Sequence, residues 1–311
     1  MKMRKYAALM IAGAVVMASC GSDKKTESTS AATTATTAAA AATTAAATET
    51  TAESTATTAA AGDVVDCKPI KPGVLSVVTS LPGPNFWGTP NGELDPTKIS
   101  SGIEFDLAND IAAKCGLKME FRNEGFDAIV AGQIPDGTYD IALSQVTITE
   151  DRAKVVDFSV GYFKADQGLL VKKGTKVTSW ADVKAMTIGV QASTTAEYYF
   201  MTDPKWKLDS DVKSFPDLTS AYEALSSGQV DGIVIDTPIN LGQASQSNGE
   251  LEVVGQFKTG EEYGAIFPKG SDRKAVLDPV IQGLIDDGTV NALIAKYLGG
   301  DPSTVPFIEV G

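Results

Sequence analysis

Apolar residues along this chain recur at two spacings, and the spacings alternate. Over residues 103–115, Ile103, Leu107, Ile111 and Cys115 fall every four positions with Ala108 and Ala112 beside them, while Glu104, Asn109, Asp110 and Lys114 point away. That pattern predicts an amphipathic helix, ended by Gly116. Short apolar runs at 74–79, 118–122 and 140–144 predict strands, with a second helix over 126–132. The later half continues the alternation. Strands are predicted at 167–173, 187–191, 232–235, 253–255 and 263–268, and helices at 179–184, 196–201 and 217–227. Residues 272–298 supply closing helices, with Val276, Val280 and Leu284, then Leu293 and Tyr297, at helical spacing. Strand–helix alternation of this kind implies an α/β fold with parallel strands and helices on their faces. Ligands in such sheets sit beyond the carboxyl ends of the strands, where Ser80, Phe126, Gln145 and Thr147 should gather.

The pattern echoes itself. AGQIPDGTYDIALS at 131–144 and SGQVDGIVID at 227–236 both run Gly-Gln, then Asp, then an apolar strand closed by a polar residue. Two lobes of similar construction, facing one another, would produce that echo. The loop SLPGPNFWG at 80–88 is fixed as non-helical by Pro and Gly, and its Phe86 and Trp87 either contact a ligand or roof the local core.

The first 62 residues do not follow the pattern. Lys2, Arg4 and Lys5 precede an apolar run at 6–17 that is too short for a comfortable membrane span, so residues 1–19 read as a secretory signal. Met17-Ala18-Ser19-Cys20 is similar to the bacterial lipobox, with Met where Leu is usual. The expectation is a lipoprotein cut before Cys20 and acylated on it, against an ordinary signal peptide cut near a cysteine. Residues 20–62 are mostly Ala and Thr and cannot bury a core, so they read as a disordered tether, roughly 35 Å in root-mean-square span. The remainder, 63–311, is long enough for one large domain or two lobes.

Charge and composition narrow the chemistry. The net charge is −13, and −16 without the three cations of the signal, which argues against nucleic acid as a partner. The chain has no histidine, which excludes His-based triads and His metal sites. No metal or cofactor is expected. Beyond Cys20 only Cys67 and Cys115 remain, and in an exported domain two cysteines most simply form one disulfide.

The residues with most chemistry lie in DIALSQVTITEDRAKVVDFSVGYF at 140–163. A buried strand gives way to Ser144, Gln145 and Thr147; Thr149 sits at a helix N-cap position, and Arg152 falls in the first turn. Free N–H groups at a helix start attract anions, and the guanidinium fork matches a carboxylate. The alternative is a capped surface helix with a solvated Arg. Ser193-Thr194-Thr195, before the helix at 196–201, offers the same pair of readings. Asp236 either caps the helix that Thr237-Pro238 begins or meets a cation in a cleft.

Four stretches together resemble the bacterial extracellular solute-binding proteins of the polar amino-acid class, the capture subunits of ABC importers. They are GIEFDLANDIAAKCG at 102–116, the stretch at 140–163, IGVQASTTAEYY at 188–199 and EEYGAIFPKG at 261–270. The resemblance implies a two-lobed, periplasmic-binding-protein-like clamp with two crossing hinge strands, near 167–172 and 255–267. Lobe 1 is expected at about 66–167 and 266–311, and lobe 2 at about 168–265. It implies that Arg152, Thr147 and the turn Ser193-Thr194-Thr195 hold an amino acid's carboxylate, and that Asp236 and Gln145 meet its ammonium. Phe126 would pack on the aliphatic part, with Phe86 or Trp87 as the other wall, and Ser80 and Gln191 complete the expected ligand set.

Departures from the family pattern carry information. Ser193 stands where glycine is usual, Gln145 replaces a smaller residue, and Ser80 replaces an Asp common in basic- and glutamine-binding members. A neutral amino acid is therefore the expected ligand, bound by a monomer that is lipid-anchored outside the cytoplasm and serves an ABC permease. Three rivals stand against this. A fold-related dehydratase would need a carboxylate pair or Lys for acid–base work, since histidine is absent. A sensing lipoprotein would continue into a membrane span and signalling domain. A structural surface lipoprotein would gain no stability from a ligand.

Overall fold

The computed structural model describes residues 64–89 and 97–311, so the signal segment, Cys20 and the tether lie outside the described residues. The first apolar run forms β1 (Val74–Thr79), buried at every position but Ser76. α1 (Ile103–Lys114) follows, then β2 (Lys118–Asn123), which lies parallel to β1 from Val74 opposite Lys118 to Thr79 opposite Asn123. After α2 (Phe126–Val130), β3 (Ile141–Ala142) adds to the other side of β1, also parallel. Its regular part is short, but Asp140 N–H bonds the Ser76 carbonyl and Leu143 N–H that of Val78, so the pairing covers the predicted run. The Asp140 carboxylate accepts from Ile70 and Ser76 N–H at 2.9 and 2.8 Å, tying the chain entry to β1.

The second half of the chain builds the same arrangement again. α3 (Trp180–Lys184), β5 (Ile188–Gln191), α4 (Thr195–Met201), β6 (Val212–Phe215), α5 (Leu218–Ser227) and β7 (Gly232–Asp236) give parallel pairs β5–β6 and β5–β7. The alternating run 212–215 was too short and polar to be predicted as a strand. α6 (Thr237–Gln246) leads on to the last strand, and α7 (Arg273–Asp286) and α8 (Thr289–Tyr297) close the fold against α1.

Two long strands join these units: β4 (Val156–Lys172) and β8 (Leu251–Pro268), antiparallel to each other. The order across the sheet is β2-β1-β3-β8-β4-β7-β5-β6. β8 reaches the first unit through Ile266 opposite Ala142, while β4 reaches the second through Gln167–Val171 opposite β7. Each strand therefore serves one unit with one end and the other unit with the other. The register slips at several points, including between Ala165 and Gln167, where the strands cross from one unit to the other. The sequence pattern shows only the end of the first, at 167–173, and two short pieces of the second, at 253–255 and 263–268. Glycines, charges and bulges interrupt the period-two alternation that would have shown them whole.

Cys67 and Cys115 are disulfide-bonded with Cα atoms 5.6 Å apart, which pins the chain entry to the end of α1. The first unit is cored by Leu107, Ile111, Leu277, Ile281 and Leu284, and the second partly by Trp180, Phe200, Trp206 and Phe257 in edge-to-face contact. Among the described residues no helix is long and apolar enough to cross a membrane.

Candidate functional site

The strand ends of both units open onto one cleft. Ser80, Phe126, Ser144, Gln145, Thr147 and Arg152 line it from the first unit, and Gln191, Thr194, Thr195 and Asp236 from the second. Leu81, Pro82, Leu218, Ile235 and Ile239 complete the wall, around about 450 Å³ of empty space counted to the mouth.

Arg152 is carried by a three-residue 3-10 turn, Arg152–Lys154, and not by the helix expected after Thr149. The chain turns at once into β4, so no helix has room to form. Thr149 still caps the turn, its Oγ accepting from Arg152 N–H at 3.2 Å. The guanidinium stacks 5.6 Å from the Phe126 ring centre. Its Nη1 donates to the Thr147 carbonyl at 2.8 Å and its Nη2 to the Ser193 carbonyl of the opposite unit at 2.9 Å. Two of five N–H donors are so engaged, and the rest can serve an anion.

On the facing side Ser193 adopts a φ of +64°, the left-handed conformation that glycine takes without strain. Its N–H donates to Glu197, so the turn uses the Ser193 backbone at both ends. Thr194 is the N-cap of α4: it accepts from Glu197 N–H and donates to the Gln191 carbonyl. Thr195 presents its hydroxyl to the hinge. Ser80 N–H donates to the Ser144 hydroxyl at 3.0 Å, fixing the rim.

Asp236 ends β7 with 4% of its surface exposed, and its side chain makes no capping bond to α6. It accepts instead from Tyr263 Oη at 2.6 Å and from Gln167 Nε2. Burial, and next the charge of Glu261, push its carboxyl up to about 7, against the pull of Tyr263, Gln167 and Arg152.

Phe86 and Trp87 are not walls of the cleft. Both are fully buried: Phe86 packs edge-on to Phe163 and Tyr263, and Trp87 lies against Phe105 and Phe121. The indole N–H is satisfied inside, by Glu104 at 2.7 Å and the Leu143 carbonyl at 3.1 Å, so these aromatics roof the core. Leu81 and Pro82, from the same loop, line the cleft in their place.

The model of the bacterial extracellular solute-binding proteins, family 3, matches residues 88–300. The chain belongs to this family. Among family relatives, it is 29% identical over 205 residues to the L-cystine-binding protein TcyJ of Escherichia coli, covering 65% of this chain and 75% of that one. It is 31% identical over 208 residues to the ABC transporter glutamine-binding protein GlnH of Bacillus subtilis, covering 65% and 74%. A solved structure of an ancestral arginine-binding protein bound to glutamine superposes with a TM-score of 0.64 at 33% identity, over 74% of this chain and all of the other. The two units are thus the lobes of a solute-binding clamp, and β4 and β8 its crossing hinge strands.

Two buried acids stand behind the lining of this family-3 cleft and are not signalled by the sequence pattern. Glu261, on β8, accepts from Thr147 and Thr195 hydroxyls at 3.1 Å each and from Gln167 Nε2 at 2.9 Å, while its Oε1 is buried without a partner. Burial raises its pKa, and it helps hold Arg152 charged against the desolvation that pulls the guanidinium down. Glu104 had been placed on the outer face of α1 by helical period, but it is fully buried. Its Oε1 accepts from Gln145 N–H at 2.8 Å and from Tyr162 Oη, and its Oε2 from Trp87 Nε1 and Gln145 Nε2. The only signal was its position in the first helical turn, next to a loop rich in donors.

Proposed function

We propose that this protein is the extracytoplasmic amino-acid-binding component of an ABC importer, closing on its ligand and delivering it to the permease. The observation that carries this is the placement of Arg152 and Asp236 in one small cleft between two hinged lobes. A free amino acid bears opposite charges on one Cα and needs opposite partners a few ångströms apart. Arg152, with Thr147 and Thr194-Thr195 of the turn, takes the carboxylate, while Ser193, expected among the ligands, spends its N–H on Glu197 and its carbonyl on Arg152 and shapes the turn instead; Asp236 and the Gln145 amide take the ammonium; Phe126 packs on the aliphatic part. Ser80, Ser144 and Gln191 bound the site. Both ligand charges are satisfied only when the lobes meet, so binding supplies the free energy of closure.

A neutral side chain fits best. Beyond Asp236 the described residues that line the cleft include no carboxylate, and Leu81, Pro82, Leu218 and Ile239 give it apolar wall. The working form in this reading is a monomer without catalytic turnover, divided into lobes at about 66–167 with 266–311 and 168–265. It is held at the membrane by an acylated Cys20 and a tether over 20–62.

A thermal-shift screen of the twenty amino acids tests the function. Ligand that binds only the folded state raises Tm, by about 2.7 kcal/mol of stability at a hundredfold excess over Kd. Absence of a shift with every amino acid would overturn the reading.

A further inference from the structure

The Gln145 side chain lines the cleft, and an amide can present either of two opposite faces: an oxygen that accepts or an NH2 that donates. Which face is offered decides what ligand group can sit against it. Gln145 is not free to choose. Its backbone has a φ of +50°, and its N–H donates to Glu104 Oε1 at 2.8 Å while its Nε2 donates to Glu104 Oε2. The same Glu104 oxygen accepts from the indole N–H of Trp87, which can only donate, so it stands as an acceptor and the amide turns its NH2 to it. The amide oxygen takes no hydrogen bond from the described residues and lies toward Gly83, beside Pro82 of the cleft wall; a Cβ added at Gly83 would come within 3.1 Å of it.

Glu104 is itself locked. Four donors converge on its two oxygens, from Trp87, Tyr162 and the backbone and side-chain N–H groups of Gln145, and they oppose the burial that raises its carboxyl. We propose that Glu104 is a positioning residue for the ligand: it holds the Gln145 amide with its oxygen to the cleft, so that the ligand group seated there is an N–H donor. This rests on the amino-acid-binding reading, in which that donor is the ammonium or an N–H of the side chain. Glu104 touches no ligand and acts through Gln145.

The test is a double-mutant cycle on the amino acid that wild-type protein binds most tightly, with Kd measured calorimetrically for wild type, Glu104→Gln, Gln145→Ala and the double variant. If Glu104 acts through Gln145, Glu104→Gln weakens binding about tenfold or more alone and less than about twofold once Gln145 is Ala. Equal losses in the two backgrounds would overturn the proposal. Should Glu104→Gln not fold, NMR of the wild-type protein decides. The Gln145 side-chain NH2, assigned by its loss in Gln145→Ala, is expected shifted downfield and slow to exchange, and a free-amide signal overturns the proposal. Failure of wild type to bind any amino acid would sink the functional reading instead, leaving the NMR result to judge the Glu104–Gln145 pair.

Discussion

Asp236 at the end of β7 and Glu261 on hinge strand β8 share a single donor, the Nε2 of Gln167. Two buried carboxylates on one amide nitrogen raise each other's cost of ionisation, and one of them is driven to hold a proton near neutral pH. The cation facing the pair is Arg152 from the first lobe, and the hydroxyls of Tyr263, Tyr199 and Tyr222 stand nearby uncharged. Among the described residues one cation therefore faces two acids that share a proton.

The stability of the ligand-free protein should fall as pH rises from about 4 to about 7. Unfolded Asp releases its proton near pH 4, whereas the folded pair keeps one up to about 7, so between these values the folded state binds more protons. Chemical denaturation at a series of pH values checks this. Stability rising steadily across that window would contradict the assignment. Carboxylates with lowered pKa, such as Asp157 beside Lys269, lose their contribution only below that window.

Ligand binding should release the shared proton, because an ammonium beside Asp236 favours its charged form. Affinity is then expected to strengthen from pH 5 to 7 and level off above. Calorimetry in buffers of different ionisation enthalpy counts the proton. In Glu261→Gln, which keeps an acceptor for Thr147 and Thr195 but removes a charge, the midpoint moves to lower pH as Asp236 returns toward its ordinary value. A midpoint unmoved in that variant would separate Glu261 from the titration.

Replacing Cys67 and Cys115 by Ser should cost about 2–4 kcal/mol, since the bond closes a loop with a sequence separation of 48. Denaturant titration of the oxidised protein against the double variant measures it. Ligand affinity should change little, because the bond lies at the end of α1, away from the cleft lining.

Much of this was legible in the sequence, and the failures have common causes. α1, β1, β5, α5 and β7 announce themselves because one face or both are buried and the periods are clean, and β2 because Met119 and Phe121 alternate onto the core. Asp236 was placed at a strand end, but only the fold shows its carboxylate turned from the helix it starts toward Tyr263 and Gln167. Glu104 and Glu261 were missed for the same reason as each other. A charged residue reads as solvated unless its donors are known, and theirs come from residues 17 to 114 positions away. Phe86 and Trp87 are ambiguous because a Pro- and Gly-rich loop reads as surface, while here it folds its aromatics inward onto Phe163, Tyr263, Phe105 and Phe121.

Arg152→Ala should weaken amino-acid binding by about 3–5 kcal/mol, because it leaves the ligand carboxylate buried without a partner. Arg152→Lys should recover only part of the loss, since a point charge cannot reproduce the fork. An unchanged Kd in Arg152→Ala would remove the guanidinium from the site.

The most direct measurement is isothermal titration calorimetry of the wild-type protein with each free amino acid at neutral pH. A neutral amino acid is predicted to bind one to one, with its des-amino and ester analogues far weaker because each loses one of the two charges that Asp236 and Arg152 meet. No binding by any amino acid, or equal binding by analogues lacking either charge, would contradict the charge-matched clamp.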